Sequence, residues 1–173
     1  VLPPAQIRAE VTQIKQEMAA RYNSHHALKS PPHVTLHMPF KWREDRLSAL
    51  QKVIQEVASR QVAFELCLRD FDCFAPRVIY VDVQPQPLLI SLQKQLTSAM
   101  RQQLHLLNAD YKDRPFHPHM TVAFRDLKKP VFEEAWQELE SRSYSACFEV
   151  NALMLLRHDG QRWQEHEAFP FAN

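Results

Sequence analysis

Two histidines carry the strongest chemical signal in the sequence, and each lies two residues before a threonine. His33 and Thr35 form one pair, and His119 and Thr121 form the other. Residues i and i+2 of an extended strand point to the same face, so each histidine should project together with its threonine. Imidazole exchanges a proton near neutral pH, so one ring can act as a base and the other as an acid. With both hydroxyls donating to phosphate oxygens, the four side chains suit metal-free hydrolysis of a phosphodiester.

The two pairs stand in matching contexts, which makes a chance repeat improbable. Each histidine follows a proline, lies in an apolar stretch typical of a strand, and precedes a phenylalanine, a helix and a Phe-Glu strand. These landmarks are Pro32, Phe40 and Phe64-Glu65 for the first copy, and Pro118, Phe124 and Phe148-Glu149 for the second. The repeated order predicts two structurally related halves about a pseudo-twofold axis, with both motifs facing one groove. A single His-x-Thr would more often be an ordinary structural residue.

The elements that must position these motifs alternate along the chain. Apolar residues at helical spacing predict helices over residues 6–22, 45–60 and 87–106, and a fourth helix with Pro130 in its first turn. Strands are predicted at 33–36, 62–68, 78–83, 119–122, 148–155 and 162–169, with a tight turn at Asp159-Gly160 between the last two. No long linker separates these elements. We therefore expect one α+β domain over residues 1–173, built from two lobes.

Composition narrows the class of ligand. The chain has 173 residues and a formal net charge of +1, so it carries no charge excess for coating a polyanion. Affinity for phosphate must come from local groups in a cleft, which favours a small nucleotide or an RNA end over a DNA duplex. The three cysteines lack Cys-x-x-Cys spacing, so neither a disulfide framework nor a zinc site is predicted, and a reducing cytoplasm fits best. No apolar run approaches the ~18 residues of a membrane span.

Other histidines near the motifs offer a metal site as an alternative. His37 and His117 should lie on the same faces as the motif histidines, and imidazole is a common metal ligand. No carboxylate or thiolate stands beside either pair in the sequence to complete a ligand set. We therefore predict neither a metal nor another cofactor, and we expect a monomer.

The two motifs resemble those of the two-histidine (2H) phosphoesterase superfamily, in particular its 2′-5′ RNA ligase and 2′,3′-cyclic phosphodiesterase branch. The stretch 30–40, Ser-Pro-Pro-His-Val-Thr-Leu-His-Met-Pro-Phe, is similar to the first motif of that branch, and 118–123, Pro-His-Met-Thr-Val-Ala, to the second. The resemblance implies a bilobed α+β fold, with antiparallel sheets flanked by helices and a central cleft. It also implies His119 as the base, His33 as the acid, and Thr35 and Thr121 as phosphate ligands. Because the site is nearly symmetric, reversed roles stay open.

The same resemblance implies a substrate class. Hydrolysis of a 2′,3′-cyclic phosphate at an RNA end or on a small nucleotide is expected, with 2′-5′ RNA ligation as a reverse reaction. Two alternatives stay open: hydrolysis of 2′-5′-linked oligonucleotides, and nucleotide or RNA-end binding without turnover. A base would need an aromatic plane to stack on. The candidates are Phe40, Phe124 and Tyr80, followed by Trp42 and Phe74.

Overall fold

The structure is a computed structural model that describes residues 1–108 and 115–172. Over these residues the helices are α1 (Ala5–Tyr22), α2 (Leu47–Ala58), α3 (Pro87–Leu104) and α4 (Lys129–Glu140). The strands are β1 (Phe64–Phe74), β2 (Val78–Val83), β3 (His119–Ala123), β4 (Ser145–Val150), β5 (Ala152–His158) and β6 (Trp163–Pro170). Short 3₁₀ turns occupy His26–Lys29 and Glu44–Arg46. The predicted α+β fold with antiparallel sheets and flanking helices is confirmed.

The helices form where apolar residues recur at helical spacing. In α1, Val11, Ile14 and Met18 are at most 2% exposed, and the helix ends where Asn23 takes the left-handed conformation at φ 54°. Asparagine tolerates this conformation at a helix end better than most residues. Helix α4 has a proline in its first turn, as predicted. The N–H groups of the first turn have no acceptor within the helix, so a residue without an N–H fits there. No helix in the described part of the chain is long and apolar enough to cross a membrane.

Two antiparallel sheets organise the fold. The larger has four strands in the order β3-β2-β1-β4, and helices α1 and α4 pack against it. The smaller is the β5-β6 hairpin, against which α2 packs. The hairpin turns at Gly160, which has a φ of 102°. Glycine adopts this conformation readily, whereas residues with a Cβ atom would be strained in it. Buried apolar side chains from both sheets and all four helices form one hydrophobic core.

The two halves of the sequence contribute strands to a common sheet. Strands β1 and β2 precede the midpoint of the chain, yet they share one sheet with β3 and β4 from the later part. The two Phe-Glu strands are direct neighbours in this sheet, because Glu65 of β1 pairs with Glu149 of β4. The predicted strand 148–155 is also divided, since β4 ends at Val150 and β5 begins at Ala152.

The prediction that the cysteines form no disulfide framework needs correction. Cys67 and Cys147, 80 residues apart, form a disulfide, while Cys73 is free. The register of β1 and β4 places Cys67 directly opposite Cys147 on the same face of the sheet. Facing residues on adjacent antiparallel strands lie close enough for their sulfurs to meet. The sequence could not reveal this pairing because it depends on which strands become neighbours.

Candidate functional site

The second motif begins strand β3 and shows the predicted alternation of faces. Met120 and Val122 are fully buried in the core, whereas His119 and Thr121 are half-buried on the opposite face. Strand β2 holds this motif in place, with Thr121 opposite Tyr80 and His119 opposite Asp82. The histidine and threonine therefore project together from a hydrogen-bonded sheet.

The first motif shows the same alternation without being part of a strand. Val34 and Leu36 are buried at 1% and 5% exposure, while His33 and Thr35 are half-buried on the other side. The strand predicted at 33–36 is not formed among the described residues. Val34 exchanges two backbone hydrogen bonds with Val1, of 2.8 and 3.0 Å, and this single pairing is too short to make a ladder. The segment lies beside the hairpin β5-β6, with which it lines a common cavity.

Both motif histidines are oriented by the same type of hydrogen bond. Nδ1 of His33 lies 2.7 Å from the carbonyl oxygen of Pro31, and Nδ1 of His119 lies 2.7 Å from that of His117. A carbonyl oxygen can only accept, so each Nδ1 carries the proton and donates it. Nε2 of each neutral ring is then left with a free lone pair. Such a nitrogen can accept a proton from water or, once protonated, give one to a leaving oxygen.

Burial lowers the pKa of both rings. The pKa of His33 is lowered to about 4, mainly by burial. The hydrogen bond to the Pro31 carbonyl opposes this, and the positive charges of the Val1 amino group, Lys15 and His119 lower the pKa further. The pKa of His119 is also lowered by burial. The hydrogen bond to the His117 carbonyl raises it, the charge of the His117 side chain lowers it, and the charge of Asp82 raises it. Because the charge of His119 acts on His33, the two motifs lie within electrostatic reach of each other. A bound phosphate anion would favour protonation of both rings.

The hydroxyls of the two motif threonines face the same side as the motif histidines. Among the described residues, no side-chain hydrogen bond joins the hydroxyl of Thr35 or Thr121 to another protein group. Both residues are half-buried and lie on the same side of the backbone as their histidines. A hydroxyl in this position is available to donate to a ligand oxygen.

An aromatic and acidic cluster surrounds the second motif. The Tyr80 hydroxyl lies 3.2 Å from Nε2 of His117, which also lies 3.7 Å from Oδ1 of Asp82. The ring of Phe74 sits 5.1 Å from that of His119, edge to face, and 4.6 Å from that of Tyr80. His117, expected on the cleft side, thus belongs to this cluster and supplies the carbonyl that orients His119.

The aromatic residues predicted to stack on a base differ in how accessible their rings are. Tyr80 is 1% exposed and lies beneath Phe74, so neither face of its ring is open to a base. Phe124 is covered by the edge of the His26 ring at 4.9 Å and by the Arg125 guanidinium at 5.5 Å. Phe74 is 40% exposed beside His119 and offers the most accessible aromatic surface at the second motif.

A cavity of about 510 Å³ opens beside the first motif, a volume within the range of small-molecule sites. Its walls include His33, Thr35 and Phe40, together with residues of α2, α3, β5 and β6. His37 also lines it, and its Nδ1 donates to the Met38 carbonyl at 2.9 Å. The cavity extends the cleft on the first-motif side only, because the second motif contributes no residue to it.

The side chains that could together bind a metal ion lie away from the two motifs. Over the described residues, only Glu65, Cys67 and Cys147 bring three potential ligand atoms within 4.8 Å of one another, and the two sulfurs are joined to each other. No comparable group forms around either motif histidine in that part of the chain. The donor set at the motifs therefore suits proton transfer and hydrogen bonding.

Two charged residues of the site, Lys15 and Asp82, are not among those predicted from the sequence. Lys15 interrupts the apolar stripe of α1 and is 2% exposed, and Asp82 interrupts the apolar strand β2 on its Tyr80 face. A charge within an apolar pattern is a visible signal, because such a residue needs a partner when the element is buried. The partner could not be predicted, since it lies on another element.

Comparison with known proteins identifies the class. The profile of the 2′-5′ RNA ligase superfamily matches residues 3–162, and the chain belongs to this superfamily. A protein of Geobacillus kaustophilus, provisionally named a phosphoesterase, is 27% identical over 172 residues, covering 98% of this chain and 92% of its own. A second provisionally named phosphoesterase, from Geobacillus thermodenitrificans, is 30% identical over 122 residues, covering 69% of this chain and 65% of its own.

Solved structures support the fold. The protein TT0787 of Thermus thermophilus superposes with a TM-score of 0.68 at 20% identity, covering 98% of this chain and 94% of its own. The apo form of Escherichia coli LigT superposes with a TM-score of 0.64 at 19% identity, covering 99% and 94%. LigT has also been solved with 3′-AMP, and that structure superposes with a TM-score of 0.54 at 22% identity, covering 99% and 94%. The predicted LigT-like fold is confirmed.

Proposed function

We propose that this protein is a metal-independent phosphodiesterase that hydrolyses 2′,3′-cyclic phosphates, at RNA ends or on small nucleotides. The observation that carries the proposal is the matched orientation of His33 and His119, each with Nδ1 on the carbonyl of residue i−2 and Nε2 free. Two such rings on opposite sides of a phosphorus atom can remove a proton from water and protonate the leaving oxygen.

The reaction balances with these two groups alone. One imidazole takes a proton from water as the water oxygen bonds to phosphorus. The bond from phosphorus to one ribose oxygen breaks, and the other imidazole gives its proton to that oxygen. Thr35 and Thr121 donate to the non-bridging oxygens, whose charge increases in the transition state. The product is a 2′- or 3′-phosphomonoester.

A nucleoside would have an aromatic surface beside the scissile phosphate. Phe74 is the partly exposed ring next to His119, and stacking on an aromatic ring is worth roughly 1–3 kcal/mol per base. The cavity beside His33 and Thr35 gives further room on the opposite side. The provisional name of the Geobacillus relative and the 3′-AMP bound to LigT agree with a phosphoester substrate.

A substrate panel tests the proposal. A 2′,3′-cyclic mononucleotide, an RNA ending in a cyclic phosphate and a 2′-5′-linked dinucleotide are each incubated with the protein, and products are separated by chromatography. Conversion of a cyclic substrate to one phosphomonoester is expected. Cleavage of the 2′-5′ dinucleotide alone would replace the proposed substrate class by the oligonucleotide one. Binding without any product would show that the motifs hold a nucleotide without turnover.

A further inference from the structure

Strands β1 and β4 bring two cysteines and two glutamates together outside the motifs. Cys67 lies opposite Cys147 in the register of these strands, and Glu65 lies opposite Glu149. Side chains two residues apart on a strand share a face, so all four project from the same side of the sheet. Potential ligand atoms of Glu65, Cys67 and Cys147 lie within 4.8 Å of one another. We call these four residues the thiol-carboxylate patch.

The patch lies on the solvent-exposed side of the sheet. Phe64 and Leu66, which alternate with it along β1, are at most 7% exposed and belong to the core. Glu65, Cys147 and Glu149 are exposed. Among the described residues, no salt bridge involves either glutamate of the patch. The carboxylate of Glu65 is therefore open to solvent and has no cationic partner in that part of the chain.

The oxidation state of the two cysteines decides whether the patch can hold a metal ion. Cys67 and Cys147 are bonded to each other, and the cysteine ligand of a metal is the thiolate. A dithiol reductant breaks the S–S bond by giving two electrons and two protons to the cysteines, and it becomes a disulfide itself. A divalent metal ion then displaces the two thiol protons. The exposure of Cys147 gives the reductant access to the bond.

The ligand types select the metal. Thiolates favour zinc over magnesium, calcium and manganese, and zinc accepts cysteine sulfur and glutamate oxygen in one tetrahedral shell. We propose that Glu65 and the reduced Cys67 and Cys147 form a zinc site, which oxidation to the disulfide closes. A water molecule fills the fourth position, because the patch is open to solvent. Strands β1 and β4 are then linked in both states, by the disulfide or by the zinc ion.

The zinc site shares a sheet face with the second motif but does not touch it. Leu68 of β1 lies opposite Val83 of β2, and both are buried in the core. Cys67 and Asp82, the residues before them, therefore point to the other face, and His119 lies opposite Asp82 on that face. Strand β2 separates β1 from β3, a distance of roughly 10 Å between the outer two strands. The ion therefore links strands and takes no part in the hydrolytic step.

Cobalt is the probe for this site, because Co²⁺ occupies zinc sites and its thiolate complexes absorb light. The wild type is reduced with a phosphine, desalted without oxygen and titrated with Co²⁺. One ion per chain should bind with a thiolate-to-cobalt charge-transfer band, and Zn²⁺ should displace it and bleach the band. The oxidised wild type should show no band. A reduced wild type without the band, or a band that zinc leaves in place, would overturn the proposal.

Variants locate the bound ion. Cys67→Ser, Cys147→Ser and Glu65→Gln should each weaken Co²⁺ binding by about ten-fold or more, since even outer-sphere partners of metal ligands contribute that much. The free Cys73→Ser and the exposed Glu133→Gln are the matched controls and should bind as the wild type does. Wild-type affinity in Glu65→Gln, or weakened binding in Cys73→Ser, would refute the ligand set. Glu65→Gln keeps both cysteines, so this comparison holds even if a serine variant fails to fold.

Urea unfolding tests the link between the strands. A ligand that binds only the folded state stabilises it, so Zn²⁺ should raise the unfolding midpoint of the reduced wild type. The oxidised wild type offers no thiolates, and its midpoint should stay unchanged. An equal shift in both states, or none in the reduced protein, would contradict a zinc link between β1 and β4.

Discussion

Replacing Lys15 by methionine should abolish a gain in stability that the wild-type protein shows at alkaline pH. The ammonium is 2% exposed, and burial lowers its pKa from 10.5 to about 8. A lysine with a lowered folded-state pKa binds fewer protons in the folded state than in the unfolded state, so the free energy of unfolding rises between these two values. One pKa unit corresponds to about 1.4 kcal/mol, so this group should contribute roughly 2–3 kcal/mol of added stability between pH 7 and pH 10.

The assay is urea unfolding of the wild type and Lys15→Met at several pH values from 7 to 10. Subtracting one curve from the other cancels the other titrating groups, because both proteins contain them. At pH 7 the variant should differ little in stability, since relief of the buried charge offsets the two lost hydrogen bonds to Ala27 and Ser30. The exposed Lys94→Met should show no such pH dependence. If the difference in the free energy of unfolding between the wild type and Lys15→Met stays constant with pH, the lowered pKa of Lys15 is refuted.

Three further changes have defined outcomes. Phe74→Leu should raise the KM for a nucleotide about ten-fold because it removes a stacking plane, and Phe74→Tyr should not; equal KM values would exclude stacking there. Cys67→Ser should lower the free energy of unfolding by up to about 4 kcal/mol, as expected for an 80-residue crosslink, and dithiothreitol should destabilise only the wild type. Asp126→Ala should cost about 2 kcal/mol in urea unfolding, because Ser24 Oγ and the amides of residues 25 and 26 lose their acceptor; a loss below 0.5 kcal/mol would contradict this.

Local patterns predicted much of the fold. Helix α1 is confirmed almost to the residue, because its apolar stripe and its left-handed end at Asn23 depend on neighbouring residues. The alternation of His119 and Thr121 against Met120 and Val122 is confirmed for the same reason, since side chains alternate along any extended backbone. Such features need no knowledge of distant contacts.

Pairing between distant strands could not be predicted. The Cys67–Cys147 disulfide and the facing of Asp82 and His119 both follow from strand order and register, which the whole core determines. The predicted strand 33–36 shows the converse effect. Its residues alternate as a strand would, yet only Val1 pairs with it among the described residues, so no ladder forms.

The central claim is that two imidazoles, without a metal, cleave the phosphodiester. Hydrolysis of a 2′,3′-cyclic nucleotide in EDTA tests it most directly, with the wild type beside His33→Ala, His119→Ala and the exposed control His105→Asn. We predict chelator-resistant product from the wild type and the control, and a loss of ~100-fold or more in each motif variant, the scale of general acid-base groups. Activity that EDTA abolishes, or that survives in either motif variant, would contradict the two-histidine mechanism.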